Sequence, residues 1–166
     1  MLVLGVDPST VATGWGLVDG DSRAARAVEW DVIRPSTRLA LPERLATIYE
    51  AISDLLGRRP APDVCVLESP FVSKNAKTAL ALGQVRGVVV LAAVRRGIPL
   101  AEYSPAEIKR ATVGYGAAGK EQIAAMIARI LAIRETPPSD AADALGAAWC
   151  HLSHAARPAR PAPVSP

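Results

Sequence analysis

Two acids in this sequence stand where an acid is costly. Asp7 closes the apolar run Leu2 to Val6, and Glu68 lies at the end of DVCVLES, residues 63–69. A carboxylate at the end of a buried strand needs a basic neighbour or a cation, because an unpaired buried charge is strongly unfavourable. Two such carboxylates side by side raise each other's pKa unless a cation lies between them. A third source of acids is SDAADA, where Asp140 and Asp143 are three residues apart and so share one helix face. Acids in the first turn after a Ser cap are also ordinary dipole stabilisation, worth about 0.3–1 kcal/mol, so this pair alone decides nothing. Together the four acids offer only oxygen ligands, which suit a hard ion, Mg2+ or Mn2+. Four carboxylates and two such ions can activate water and stabilise the leaving oxygen in an in-line attack on a phosphodiester.

The bases are distributed to match. The net charge is only +3, yet Lys74, Lys77, Arg86, Arg95, Arg96, Lys109, Arg110 and Lys120 face just Glu102 and Glu107 between residues 74 and 120. That segment carries +6 and the rest of the chain −3. A polyanionic partner suits this asymmetry, although solvated helix faces give the same count. Phe71, the only Phe, follows Glu68-Ser69-Pro70 and leads to Lys74-Asn75. It is placed either to stack on an unpaired base or wedge into a junction, or to plug the core under its own loop. His151 and His154 lie beside Cys150 with no second ligand pair elsewhere, so they read as surface histidines rather than a zinc site.

The elements that must position these side chains are legible from their periodicity. LVLGVD and TGWGLVD read as a hairpin, and AVEWDVIR, residues 27–34, as a third strand of an antiparallel meander. In LPERLATIYEAISDLLGRR, Leu41, Leu45, Ile48, Ile52, Leu55 and Leu56 share a helical face, with Pro42 early and Gly57 as the stop. The crossover makes DVCVLES a buried strand parallel to a neighbour. A helix from about Ala76 to Arg96, apolar over much of its circumference, contains Gly83 and Gly87 and belongs deep in a core or at an interface. IPLAEYS is a fifth strand, Ser104 caps a helix starting at Pro105, and TVGYGAAG is a glycine-rich loop. Helices over Lys120–Ile133 and from Asp140 to about Ala155, the latter capped by Ser139, complete the order. The expectation is an α/β domain over residues 1–156 with a mixed five-stranded sheet flanked by helices, then a Pro-rich, disordered tail over 157–166.

The bulk numbers set limits. A chain of 166 residues suffices for one domain with a real core, but not for two sizeable ones. The longest uninterrupted apolar run, Gly87 to Val94, is flanked by Arg86 and Arg95-Arg96 and is too short to cross a bilayer. The N-terminus opens straight into a strand without a basic region, and Cys65 and Cys150 read as reduced core thiols, so the expected location is cytoplasmic.

GVDPSTVATGWG, LESPFVSKNAKTALALGQVRGV, EYSPAEIKRATVG, GYGAAGKEQI and SDAADALGAAWCH resemble, in order, the motifs of the RuvC family of Holliday-junction resolvases. The resemblance runs from residue 2 to about 155. It implies an RNase H-like fold and a homodimer formed through the helix around 76–96. It also implies Mg2+-dependent paired nicking of four-way DNA junctions, leaving 5′-phosphate and 3′-hydroxyl ends, with two ions per site. The family's catalytic, metal-binding carboxylates map to Asp7, Glu68, Asp140 and Asp143. Its lysines map to Lys109 and Lys120, the latter counted as catalytic, and its junction-contacting aromatic to Phe71. Lys74, Asn75, Lys77 and Arg86 are added here as DNA-binding candidates, and partnership with the branch-migration motor RuvAB is implied in the same way. Two positions depart from the family pattern: Ser9 follows Asp7-Pro8 where the family has glycine, and Ser69-Pro70 follow Glu68 where bulkier or polar residues are usual.

Other classes share parts of this pattern. Actin-like sugar kinases and Hsp70-type ATPases open on a similar Asp and glycine/threonine hairpin, but they need a second domain to close over the nucleotide, which this length does not supply. A catalytically silent junction-binding scaffold would be signalled by a lost acid, and all four are present. An RNase H-like nuclease acting on RNA or another branched structure has the same carboxylates.

Overall fold

Successive residues of the opening strand face opposite layers of helices. The computed structural model describes residues 1–69, 76–114 and 119–155. In β1 (Leu2–Asp7), Val3 is buried in one core cluster, and Leu4 and Val6 in the other. The alternation continues in β4 (Val64–Glu68), where Val64 and Val66 face the first cluster and Cys65 and Leu67 the second. Asp7 and Glu68 therefore leave their strands on the same face of the sheet as Val3 and Val66.

The sheet has the order β3-β2-β1-β4-β5. β2 (Thr13–Gly20) and β3 (Ala25–Ile33) form the antiparallel meander, while β4 and β5 (Leu100–Tyr103) run parallel to β1. This is the expected α/β, RNase H-like arrangement of a mixed five-stranded sheet. α1 (Leu41–Leu56) and α2 (Ala76–Arg95) cover one face, with Ile48, Ile52, Val85 and Val89 buried against Leu4, Val6 and Leu67. α3 (Pro105–Val113), α4 (Lys120–Ile130) and α5 (Ser139–Ala155) cover the other.

Three strand glycines bring α5 unusually close. A Cβ on Gly5 would meet the Ala144 carbonyl oxygen at 1.9 Å, one on Gly14 the Asp140 carbonyl oxygen at 1.9 Å, and one on Gly16 the Leu145 side chain at 2.5 Å. Any side chain at Gly5 or Gly14 would push the helix off the sheet. The glycines thus set the height at which the first turns of α5 stand over the ends of β1 and β2.

Local signals behave as physics requires, with two exceptions. Ser104 caps α3, its Oγ accepting from the Glu107 N–H at 3.3 Å while Glu107 Oε2 accepts from the Ser104 N–H at 2.8 Å. Ser139, in contrast, is the first helical residue of α5 rather than its cap, and the Pro138 carbonyl accepts from the Ala142 N–H at 2.8 Å. α4 also stops three residues before the expected Ile133. Ala132 takes a left-handed φ of 54°, and the Ile133 N–H turns back to the Ala128 carbonyl at 2.8 Å, sending Ile133 onto the core.

α2 is the exception in composition. By length and apolar content alone it could cross a membrane, but here it packs on α1 and the sheet through Val85, Val89, Ala92 and Ala93. Its other side is open, with Leu80 72%, Leu91 52% and Val94 62% exposed. Among the described residues nothing comes within 4 Å of a Cβ placed on Gly83 or Gly87.

Candidate active site

The four acids arrive at one end of the sheet from three elements. Asp7 ends β1 opposite Gly14 of β2, and the parallel β1–β4 register, running through Val6–Leu67, places Glu68 one step beyond. Asp140 and Asp143 stand in the first turns of α5, which Gly14 admits to the strand ends. Trp149 fixes α5 to α3, its Nε1–H donating to the Ala111 carbonyl at 3.0 Å, and α3 carries Lys109.

The electrostatics show that the acids form one cluster. Burial, then the charges of Asp143, Glu68 and Asp140, push the Asp7 carboxyl up to about 7 from an ordinary 3.8, with Lys120 opposing. Glu68 is raised by burial and by Asp143, against the pull of Lys109, Lys120 and Arg86. Burial, followed by Asp140, raises Asp143, while Lys120 and Lys109 lower it. Carboxylates that raise one another in this way are near neighbours competing for positive charge. Lys120 Nζ lies 4.0 Å from Asp143 Oδ2, but its side chain is 81% exposed, so water screens much of its charge.

Four acids against two lysines leave a negative surplus of two, and every ligand atom is a hard oxygen. That donor set fits a divalent ion of the Mg2+ or Mn2+ type. Among the described residues no group of three or more acid, His or Cys side chains already closes around a common point.

The β1–β2 turn closes around Ser9. The Thr13 hydroxyl donates to the Ser9 carbonyl at 2.6 Å and accepts from the Ser9 N–H at 3.1 Å. Ser9 Oγ accepts from the Val11 and Ala12 N–H groups at 3.3 and 3.4 Å, closing the turn without a left-handed residue. Beside it, Pro8, Ser9 and Thr10 line a groove of about 360 Å3 with Lys77, Ala81 and Leu82 of α2. Lys77 thus faces a groove bordered by Pro8, the residue that follows Asp7.

The remaining expectations fall out unequally. Phe71, Lys74 and Asn75 lie outside the described residues, as do Pro70 and the tail from 157. Arg86, expected to reach DNA, is committed within the chain: its side chain is only 12% exposed, Nη1 donates to the Glu68 carbonyl, and Nη2 donates to Glu102 Oε1 at 2.8 Å. His151 and His154 are not free surface groups. Both are partly buried against Tyr103, whose hydroxyl lies 2.9 Å from His151 Nδ1 and whose ring centroid is 5.2 Å from that of His154. Sequence reasoning also missed the spacing role of Gly5, Gly14 and Gly16. The one available signal was glycine at alternate positions, 14 and 16, of a single strand, which clears one face for another backbone.

Known proteins resemble this chain over most of its length. The family model for "Crossover junction endodeoxyribonuclease RuvC" matches residues 3–151. A protein of that name from Moorella thermoacetica is 47% identical over 154 residues, covering 92% of each chain, and one from Alkalilimnicola ehrlichii is 46% identical over 150 residues, covering 90% of each. The solved structure of Thermus thermophilus RuvC in complex with a Holliday junction substrate superposes with a TM-score of 0.87 at 33% identity, over 93% of this chain and 94% of that one. The yeast mitochondrial Holliday junction resolvase Ydc2 shares the fold, with a TM-score of 0.63 at 14% identity. With the match running through β1, β4 and most of α5, and so through every element that brings an acid to the site, this chain belongs to the RuvC family of crossover junction endodeoxyribonucleases.

Proposed function

We propose that this chain is a structure-specific endonuclease that resolves four-way DNA junctions by paired, symmetric nicks in opposite strands, leaving 5′-phosphate and 3′-hydroxyl ends. The observation that carries the reading is the convergence of Asp7, Glu68, Asp140 and Asp143 in one electrostatic cluster, in a chain of this family. All four acids are retained, which argues against a silent scaffold.

Asp7, Glu68, Asp140 and Asp143 are the residues that would hold two Mg2+ ions, with Mn2+ able to replace them. Bound there, the ions would lower the pKa of water and polarise the scissile phosphate. The chain's own groups do the rest. Lys120, standing free of the sheet at the start of α4, offsets charge that develops on the phosphate, and Lys109 adds to the same field. Lys77 and its groove hold backbone phosphates beside the site, and Lys74 and Asn75 extend that contact. Phe71, three residues beyond Glu68, stacks on or wedges against an unpaired base near the cut.

Symmetric cutting needs two such sites. Leu80, Gly83, Gly87, Leu91 and Val94 recur at three- and four-residue spacing along the open side of α2, which gives an apolar face for a second copy. In the cell we place this homodimer in the cytoplasm, acting with the branch-migration motor RuvAB.

Cleavage of an end-labelled synthetic four-way junction, beside a linear duplex and an RNA junction of the same sequence, tests the reading. Paired nicks at symmetric positions in the DNA junction alone are expected. Cleavage of the RNA junction instead would move the chain to the other nuclease class.

A further inference from the structure

The peptide that follows Glu68 is held from both sides. Its carbonyl, that of Glu68, accepts from Arg86 Nη1, and its N–H, that of Ser69, donates to the Tyr103 carbonyl at 2.7 Å. Arg86 in turn is held by Glu102, whose Oε1 accepts from Nη2 at 2.8 Å, one residue before Tyr103 in β5. A single guanidinium therefore spans the carboxyl ends of β4 and β5 from helix α2. Its side chain is 12% exposed, whereas that of Glu102 is 45% exposed. Only Arg has the planar fork to serve two acceptors in this way; a Lys ammonium is a point charge on a flexible stem.

We infer that Arg86 is a positioning residue for the metal-binding carboxylate Glu68, acting through the main chain rather than by touching DNA. Strand β4 ends at Glu68, and the last inter-strand bond, from the Ser69 N–H to the Tyr103 carbonyl, holds only the N–H side of the next peptide. The Arg86 bond holds the other side, at the Glu68 carbonyl. Together the two bonds set the plane of the Glu68–Ser69 peptide, and hence the direction in which the Glu68 side chain leaves. Groups that orient a metal ligand are typically worth 10- to 100-fold in metal affinity or activity. The inference rests on the nuclease reading above.

The test compares Arg86→Lys, Arg86→Met and Glu102→Gln in the full chain. Junction affinity and its salt dependence are measured in Ca2+, single-turnover cleavage in Mg2+ at saturating junction, and Mn2+ binding to the DNA-free protein by calorimetry. Arg86→Lys, which keeps the charge, is expected to lose about 10- to 100-fold in cleavage and to bind Mn2+ several-fold more weakly. Its junction affinity should stay within about twofold and its salt slope should not change. Glu102→Gln, which loosens only the half-exposed anchor, should show a smaller loss of the same kind, and it carries the test if the Arg86 variants do not fold. Weaker junction binding with a salt slope lower by about 0.9, and wild-type cleavage at saturation, would make Arg86 a phosphate contact and overturn the inference. Wild-type Mn2+ affinity in all three variants would overturn it too. If the wild type cut no junction, the nuclease reading would fall, while the Mn2+ comparison would still decide whether Arg86 positions Glu68.

Discussion

Gly14 of β2 and Asp140 of α5 meet backbone to backbone: a Cβ on the glycine would stand 1.9 Å from the Asp140 carbonyl oxygen. The helix bearing two of the four acids is therefore seated by a missing side chain. Gly14→Ala must shift the first turn of α5. Overpacking of this kind costs roughly 1–3 kcal/mol and sometimes more, or several degrees in melting temperature for a chain of this size. Gly16→Ala meets the Leu145 side chain rather than backbone, and a rotamer change can absorb part of that clash. Thermal unfolding should rank Gly14→Ala well below Gly16→Ala, with cleavage lost in the former.

The buried acid cluster makes stability depend on pH with a definite sign. The Asp7 carboxyl titrates at about 7 in the folded chain against 3.8 ordinarily. Between those values the folded chain keeps a proton that the unfolded chain has released. Stability therefore falls as pH rises through this window, and the loss is complete above the folded pKa. It amounts to at most on the order of 4 kcal/mol, less as water and side chains relax around the site. The melting temperature in a chelator should drop from about pH 5 to about pH 8. Asp7→Asn should flatten that drop and melt above the wild type at the alkaline end, while abolishing cleavage. A wild-type curve that is flat or rising across the window would refute this electrostatic account.

Lys120 separates catalysis from stability. Its ion pair with Asp143 is long, at 4.0 Å, and the ammonium is highly exposed, so the pair should contribute no more than about 1 kcal/mol to folding. Lys120→Met is expected to leave the denaturation midpoint nearly unchanged and to slow single-turnover cleavage by about 10²–10³-fold, the scale for removing one charge-stabilising donor.

The open side of α2 should be a dimer surface. Gly83 has free space around it among the described residues, so Gly83→Leu fits within one copy but would block a second helix from approaching. Sedimentation of this variant should give a monomer of wild-type helical content, against a dimer for the parent. A dimer that survives both this change and Leu91→Glu would locate the interface elsewhere.

Most of this architecture could be read from residue order, because the signals were local. Short apolar runs placed Asp7 and Glu68 at buried strand ends, and Ser104-Pro105 fixed the beginning of α3. The misses have physical causes too. The end of α4 was unmarked because Ala132, not a glycine, takes the left-handed turn. Ser139 looks like a cap in sequence, yet Pro138 supplies the accepting carbonyl. Arg86 looks like one more base in a basic segment. Nothing local says that its fork meets a carbonyl eighteen residues away in sequence, since that contact exists only once α2 lies across β4 and β5. The clustering of the acids was likewise a consequence of topology, legible only as the expectation that β1 and β4 are parallel neighbours.

The central claim is that Asp7, Glu68, Asp140 and Asp143 act as one metal-dependent nuclease site. The most direct measurement is single-turnover cleavage of the four-way junction in Mg2+ by the wild type and by Glu68→Gln and Asp143→Asn, with junction affinity measured alongside in Ca2+. The account predicts symmetric nicks by the wild type that require the ion, a loss of cleavage by several orders of magnitude in each variant, and junction affinity retained in both. Cleavage that persists in either variant, or that proceeds in chelator, would contradict it.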